Sequence, residues 1–174
     1  ATTVALLVSM SQVLRELHRH EQALPHLRRA RELAAIVVKE AQLAETEYAL
    51  GEGYRGLKRD DEALECFYRC LRLSERKNLP EALCRALLGI GHVHLGKANT
   101  SEAMSLFQRS KTIAEEHGFK RLLCESLTGL GEGEAKQAAP EAALEHFLAA
   151  LTVSREIREI QLQLFLLNSI SNVY

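Results

Sequence analysis

Residues 51–56 read Gly-Glu-Gly-Tyr-Arg-Gly, the G-x-G-x-x-G spacing of a loop that cradles a dinucleotide pyrophosphate. Such a loop works because a strand enters the turn and a helix leaves it, so that backbone N–H groups converge on the anion. Here helix formers precede Gly51, so the expected setting is the inside of a helix. Further along the chain Gly53 is matched by Val93 and then by Gly133, so the triplet does not recur as a set. Gly56 shares its column with Gly96 and Lys136, near a helix end where glycine can stop the helix.

The other reactive side chains form no site. His92 with His94, and His18 with His20, are spaced i, i+2, which on a helix directs them to roughly opposite sides and away from a shared ion. No metal site is expected. Carboxylate pairs abound, but none is joined to a nucleophile, so they read as solvated helix faces and partners for Arg and Lys one turn away. Cys66, Cys70, Cys84 and Cys124 contain no C-x-x-C pair. Neither a disulfide framework nor a zinc site follows, and they read as small apolar fillers in a reducing, cytoplasmic setting. We expect no cofactor and no catalytic residue.

Composition narrows the class further. Hydrophobic residues make up 47% and charged residues 26%, ordinary for a globular chain. A net charge of −1 and a pI near 6.7 argue against nucleic acid as a partner, because binding it needs a cationic excess. No apolar run reaches the ~18 residues of a membrane span. The opening ATTVALLVSM lacks the basic start and cleavage site of a signal peptide.

What must position these residues is a repeat. QALPHL (22–27), EALECF (62–67), EAMSLF (102–107) and AALEHF (142–147) recur at a constant offset of forty with no insertion. Ala23, Ala63, Ala103 and Ala143 share a column, and Leu27, Phe67, Phe107 and Phe147 share another. Ala30, Cys70, Ser110 and Ala150 are all small. Upstream, Met10, Leu50, Ile90, Leu130 and Ile170 are apolar, and the next column, Ser11, Gly51, Gly91, Gly131 and Ser171, is tiny throughout. Each repeat reads as two helices of 3.6-residue period: Ala63, Phe67, Cys70, Leu71 and Ser74 fall on one face. The periodicity predicts helices over 2–18, 21–39, 41–57, 61–77, 81–96, 100–117, 120–136, 140–157 and 159–173. Pro140 and Pro80 should open helices. An Asp of KRDD should cap one, and Asn99 with Glu102 has the spacing of a capping box. Pro25 should cost its helix a hydrogen bond or delay its start. The tiny column should let the ring of the Phe67 column approach the backbone, offsetting the roughly 1 kcal/mol that glycine costs in a helix.

On Leu50, Gly51, Tyr54, Ala63, Phe67 and Cys70, with their counterparts one repeat away on either side, the chain resembles the tetratricopeptide repeats, in a forty-residue variety. It departs from the pattern where Tyr54 becomes His94 and Glu134, so that His94 is expected to be packed in the core. It departs again at Glu47, where Leu7, Leu87, Leu127 and Leu167 fill the column, and at Glu75 and Glu115, which replace the closing Pro. The resemblance implies an all-α fold, a right-handed α-α superhelix of about nine antiparallel helices. It implies one array over 1–174, with repeats at about 4–43, 44–83, 84–123 and 124–163 and a partial one at 164–174. The ends read as those of a segment of a longer protein.

The resemblance also implies function. The first helix of each pair would line a concave groove that binds a peptide or helical segment of a protein partner. The matching positions are Gln12, Arg15, Glu45, Tyr48, Glu52, Arg55, Arg85, Leu88, His92, Glu125, Thr128, Glu132, Asn168 and Asn172. Glu52 and Glu132, at one recurrent position, would make the groove locally acidic and suited to Arg, Lys or amide groups. The second implied role is a regulatory or sensor segment controlling an attached output domain, such as a cyclase, kinase or transcription regulator. The apolar LQLFLLNSI (162–170) would in either case need cover, for which self-association is one route.

Overall fold

The computed structural model describes residues 2–37 and 40–173, with the side chains of 3–36 and 40–172. Among these are nine α-helices: α1 (Thr2–Glu16), α2 (His20–Val37), α3 (Glu40–Gly56), α4 (Asp60–Lys77), α5 (Pro80–Gly96), α6 (Thr100–His117), α7 (Lys120–Lys136), α8 (Pro140–Glu156) and α9 (Ile160–Val173). Every helix expected from the periodicity is present, with ends shifted by at most two residues. The expected last two residues of α2, 38 and 39, lie outside the described residues. The chain divides into two compact units, Ala1–Gly89 and Ile90–Tyr174, and α5 holds residues of both.

The turns carry a period of their own. His18, Lys58, Ala98 and Ala138 occupy one repeat column and all have φ near +60°, as do Asn78, Gly118 and Arg158 in the alternate turns. Each lets the next N–H reach back over the helix end. Arg59 N–H donates to Tyr54 O at 3.0 Å, Asn99 to His94 O at 2.9 Å, and Ala139 to Glu134 O at 3.0 Å. In the alternate turns Leu79 donates to Ser74 O at 3.0 Å and Phe119 to Ala114 O at 2.9 Å. These closures satisfy carbonyls that a helix end otherwise leaves to water. The stop is therefore not Gly56 or Gly96, which end α3 and α5, but the left-handed residue two positions later.

Helix starts correct two expectations. Asp60 and Asp61 are already helical, and the residue before them, Arg59, makes no side-chain cap. Asn99 makes none either: its Nδ2 lies 3.3 Å from His94 Nδ1, and Glu102 pairs with the same ring nitrogen at 3.3 Å. The imidazole draws away both halves of the capping box. That contact leaves His94 half-buried at the helix surface rather than in the core. Pro140 and Pro80 open α8 and α5 as expected. Pro25 lies inside α2 without delaying its start. The carbonyl it deprives of a donor belongs to exposed Glu21, where water can serve.

In the N-terminal unit α1, α2 and α3 enclose Val4, Val8, Ala23, Leu27, Ala30, Ala34 and Leu50. Phe67 of α4 is wholly buried between two glycines: a Cβ built on Gly51 or Gly89 would stand 2.5 or 2.6 Å from its ring. The C-terminal unit repeats the device. Phe107 sits against Gly91 and Gly129, and Phe147 against Gly131, where a built Cβ would stand 2.5, 2.9 and 2.7 Å from the ring. The steric reason expected for Gly51 is thus the one observed, in both units. Gly89 and Gly129, one repeat apart in a second small column, share the task and escaped the sequence reading.

Candidate functional site

GEGYRG lies within α3, and Gly51 and Gly53 are buried there against Phe67 and Leu24. A helix interior presents no converging N–H groups, so this stretch is a packing surface.

In the N-terminal unit two groups of candidate side chains make contact: Arg15 with Glu52 and Arg55, and Tyr48 with Arg85. Arg55 Nε and Nη2 donate to Glu52 Oε1 and Oε2, both at 2.9 Å, a two-pronged grip. These hydrogen bonds hold the Arg55 guanidinium above its ordinary pKa. Arg15 of α1 approaches the same carboxylate, Nη1 to Oε2 at 3.9 Å. Beside them Arg85 lies over the Tyr48 ring, 6.0 Å from its centroid, and donates to Glu81 at 2.6 Å. Tyr48 in turn touches Phe67, with 5.9 Å between ring centroids. Glu45 is exposed, and exposed Gln12 donates to Glu16 at 3.2 Å. Glu52 is therefore not an open acidic position. Leu88 is 3% exposed, so the core consumes it instead of the surface.

In the C-terminal unit the His92 ring lies 5.1 Å from Phe107. Glu125 accepts from Arg121 at 3.1 Å. Thr128 is buried, its hydroxyl donating to Cys124 O at 2.8 Å, and is corrected with Leu88 to a packing residue. Glu132 and Asn172 line one cleft, of about 540 Å³, with Lys136, Ser169 and Phe147. Asn168 is exposed on α9.

Two features went unseen in the sequence. His18 is a turn residue with φ 57° and His20 begins α2, so helical spacing does not govern them, and their rings lie 6.2 Å apart. His20 packs against Gly56, beside Arg15 and Arg55. Burial first, then the charges of His18, Arg15 and Arg55, push its pKa down. The four cysteines are buried free thiols. Burial pushes Cys66 up to about 12 and Cys70 and Cys124 up to about 11, which denies them thiolate chemistry near neutral pH. Among the described residues, no helix is long and apolar enough to cross a membrane.

A tetratricopeptide repeat family model matches residues 2–76 and again 42–116, two stretches offset by the same interval as the sequence repeat. The chain belongs to the tetratricopeptide repeat family. No curated protein matches it in sequence. Among solved structures it is similar to a Rap protein complexed with competence and sporulation factor (TM-score 0.86, 14% identity, 98% of this chain and 51% of that one). It is also similar to aspartyl phosphate phosphatase F from Bacillus subtilis (0.85, 16%, 98% and 45%). A third likeness is a signal transduction ATPase with numerous domains, carrying a tetratricopeptide repeat sensor, from Pyrococcus horikoshii (0.78, 20%, 98% and 27%). These likenesses show the fold, an all-α tetratricopeptide-type helical superhelix. The chain spans less than two thirds of the length of each of these three.

Proposed function

We propose that this tetratricopeptide repeat chain is a protein-interaction scaffold that binds a peptide or helical segment and does no chemistry of its own. The observation that carries this reading is the contact of polar and aromatic side chains from α1, α3 and α5 outside the core: Arg15 with Glu52 and Arg55, and Arg85 with Tyr48. First helices spend their small and aliphatic columns on packing and leave these residues over, which is how repeat arrays make recognition surfaces. Reading 1–174 as one array rests on the register, which passes from Gly51 through Gly91 to Gly131 without a gap. The Rap neighbour, solved with a bound factor, supports the class of partner.

Affinity capture from the source cells tests the reading. Glu45→Lys with Glu132→Lys should lose the partner that the unaltered chain retains, with far-UV circular dichroism unchanged. Equal capture by both would refute it.

The neighbour with a tetratricopeptide repeat sensor favours a second reading, regulation of an attached output domain. The residues encoded on either side of this chain decide it: an ATPase, cyclase, kinase or DNA-binding domain there supports regulation, and further repeats alone speak for an adaptor.

A further inference from the structure

The outward stripe of α4 carries its charge in two halves. Asp61, Glu65, Tyr68, Arg72 and Arg76 follow one another at three- and four-residue steps, which places them on one helix face, and all are exposed. The acids stand at the start of the helix, the arginines at its end, and Tyr68 between them. We infer that this stripe is the contact by which two copies of the chain pair, α4 antiparallel to α4 about a two-fold axis beside Tyr68.

Charge complementarity picks the occupant. In an antiparallel pair centred between residues 68 and 69, Asp61 stands level with Arg76 of the second copy, and Glu65 with Arg72. Each pairing occurs twice by symmetry. Tyr68 stands level with Arg69 of the second copy, a cation against a ring. A parallel pair would instead set acid on acid and arginine on arginine, which repel. A symmetric contact has to be complementary to itself, and this stripe meets that condition. Arg72 and Arg76 are without an ion pair among the described residues. Glu65 is held by Arg69 one turn on, yet its side chain stays 64% exposed. Glu75 falls level with Glu62 of the second copy, but Glu62 already accepts from Arg59 Nε at 2.9 Å. Tyrosine and arginine are the side chains that most often anchor a protein interface. At the two arginine columns α2 has Glu32 and Ile36, α6 has Thr112 and Glu116, and α8 has Thr152 and Glu156, so the pattern among second helices is that of α4. One helix pair covers little surface, which puts the pairing in the weak, salt-sensitive class. The candidate side chains of α1, α3 and α5 take no part in it, so it goes beyond the scaffold reading and does not depend on it.

Sedimentation equilibrium should show a monomer–dimer exchange whose dissociation constant rises about ten-fold or more between ~50 and ~500 mM salt. Arg72→Glu with Arg76→Glu makes the stripe wholly acidic, and Asp61→Lys with Glu65→Lys makes it wholly basic. Each double variant should be monomeric with far-UV circular dichroism unchanged, and the two mixed in equal amounts should form a dimer of one copy each. Cross-linking reads the position of the axis. The two Tyr68 side chains would lie about 1.5 Å apart along it, so Tyr68→Cys should join two copies by a disulfide under mild oxidation. Arg28→Cys, in the same column of α2, should not. The native thiols are buried and supply no competing link. The pairing is overturned if the unaltered chain is monomeric throughout at low salt, or if either charge variant dimerises as before. It is equally overturned if the mixed variants stay apart, or if Arg28→Cys cross-links as readily as Tyr68→Cys.

Discussion

A methyl group at Gly51 would have to share space with the Phe67 ring, which Gly89 confines from the other side. Neither the ring nor the two backbones has room to retreat, so the clash outweighs the helix propensity that alanine brings. Gly51→Ala should lower stability by about 1–3 kcal/mol in urea unfolding. Gly96, with no atom within 4 Å of a Cβ, is the control, and Gly96→Ala should leave stability unchanged or raise it by up to about 1 kcal/mol. Glu47 breaks an apolar column from inside the core, 5% exposed, with Arg69 Nη1 at 3.7 Å and Oε2 without a hydrogen bond. Burial raises its carboxyl pKa above the ordinary 4.5, against the pull of Arg31 and Arg69. A raised acid stabilises the fold below the unfolded value, and that contribution is lost as pH climbs through the folded one. Glu47→Leu, which restores the column residue, should therefore stabilise the protein by about 1–3 kcal/mol near neutral pH. Arg69 keeps its bond to Glu65, so no charge is stranded. The advantage of the variant should shrink as pH falls towards the ordinary carboxyl range, and a constant difference across that range would show that Glu47 does not titrate in the core.

Helices were legible from spacing alone, because apolar residues at 3.6-residue period leave few alternatives once they recur at a fixed offset. The turns were not. A left-handed residue is advertised by Gly or Asn, and Asn78 and Gly118 fit that rule. His18, Lys58, Ala98, Ala138 and Arg158 do not, yet they take the same left-handed conformation at the equivalent turns. Asn99 and Glu102 misled for a related reason: capping spacing says nothing about a competing imidazole on the neighbouring helix. The turns therefore hold stability that the natural residues forgo. Ala98→Gly or Ala138→Gly should raise stability by about 0.5–1 kcal/mol, since relief from the left-handed penalty exceeds the entropy glycine adds to the unfolded chain. Thermal unfolding of each variant checks this, and a loss of stability at both positions would mean that the methyl groups themselves pack.

At the scale of the whole chain, the candidate site was legible only as a set of columns. Position in the repeat told which residues lie on first helices, but not which of them the core would claim. Leu88 and Thr128 are buried and Tyr48 only partly so, although all three share one column. Nor did spacing show that Glu52 would be held by arginines of two different helices. What the register does determine is the rule of growth. If the sequence repeat is also the true structural period, every contact column of α3 and α4 survives when that segment is duplicated in phase. A second copy of residues 44–83 inserted after Leu83 should then fold, with helical circular dichroism rising in proportion to the added length and an unfolding midpoint no lower than before. A single alanine inserted after Cys70 adds far less chain but turns the rest of α4 by about 100° against Phe67. It should cost more stability than the whole added repeat. Were the long insertion to unfold the protein and the short one to be tolerated, the contacts would not be organised by the repeat period, and the pairing of glycines with phenylalanines would have to arise separately in each hairpin.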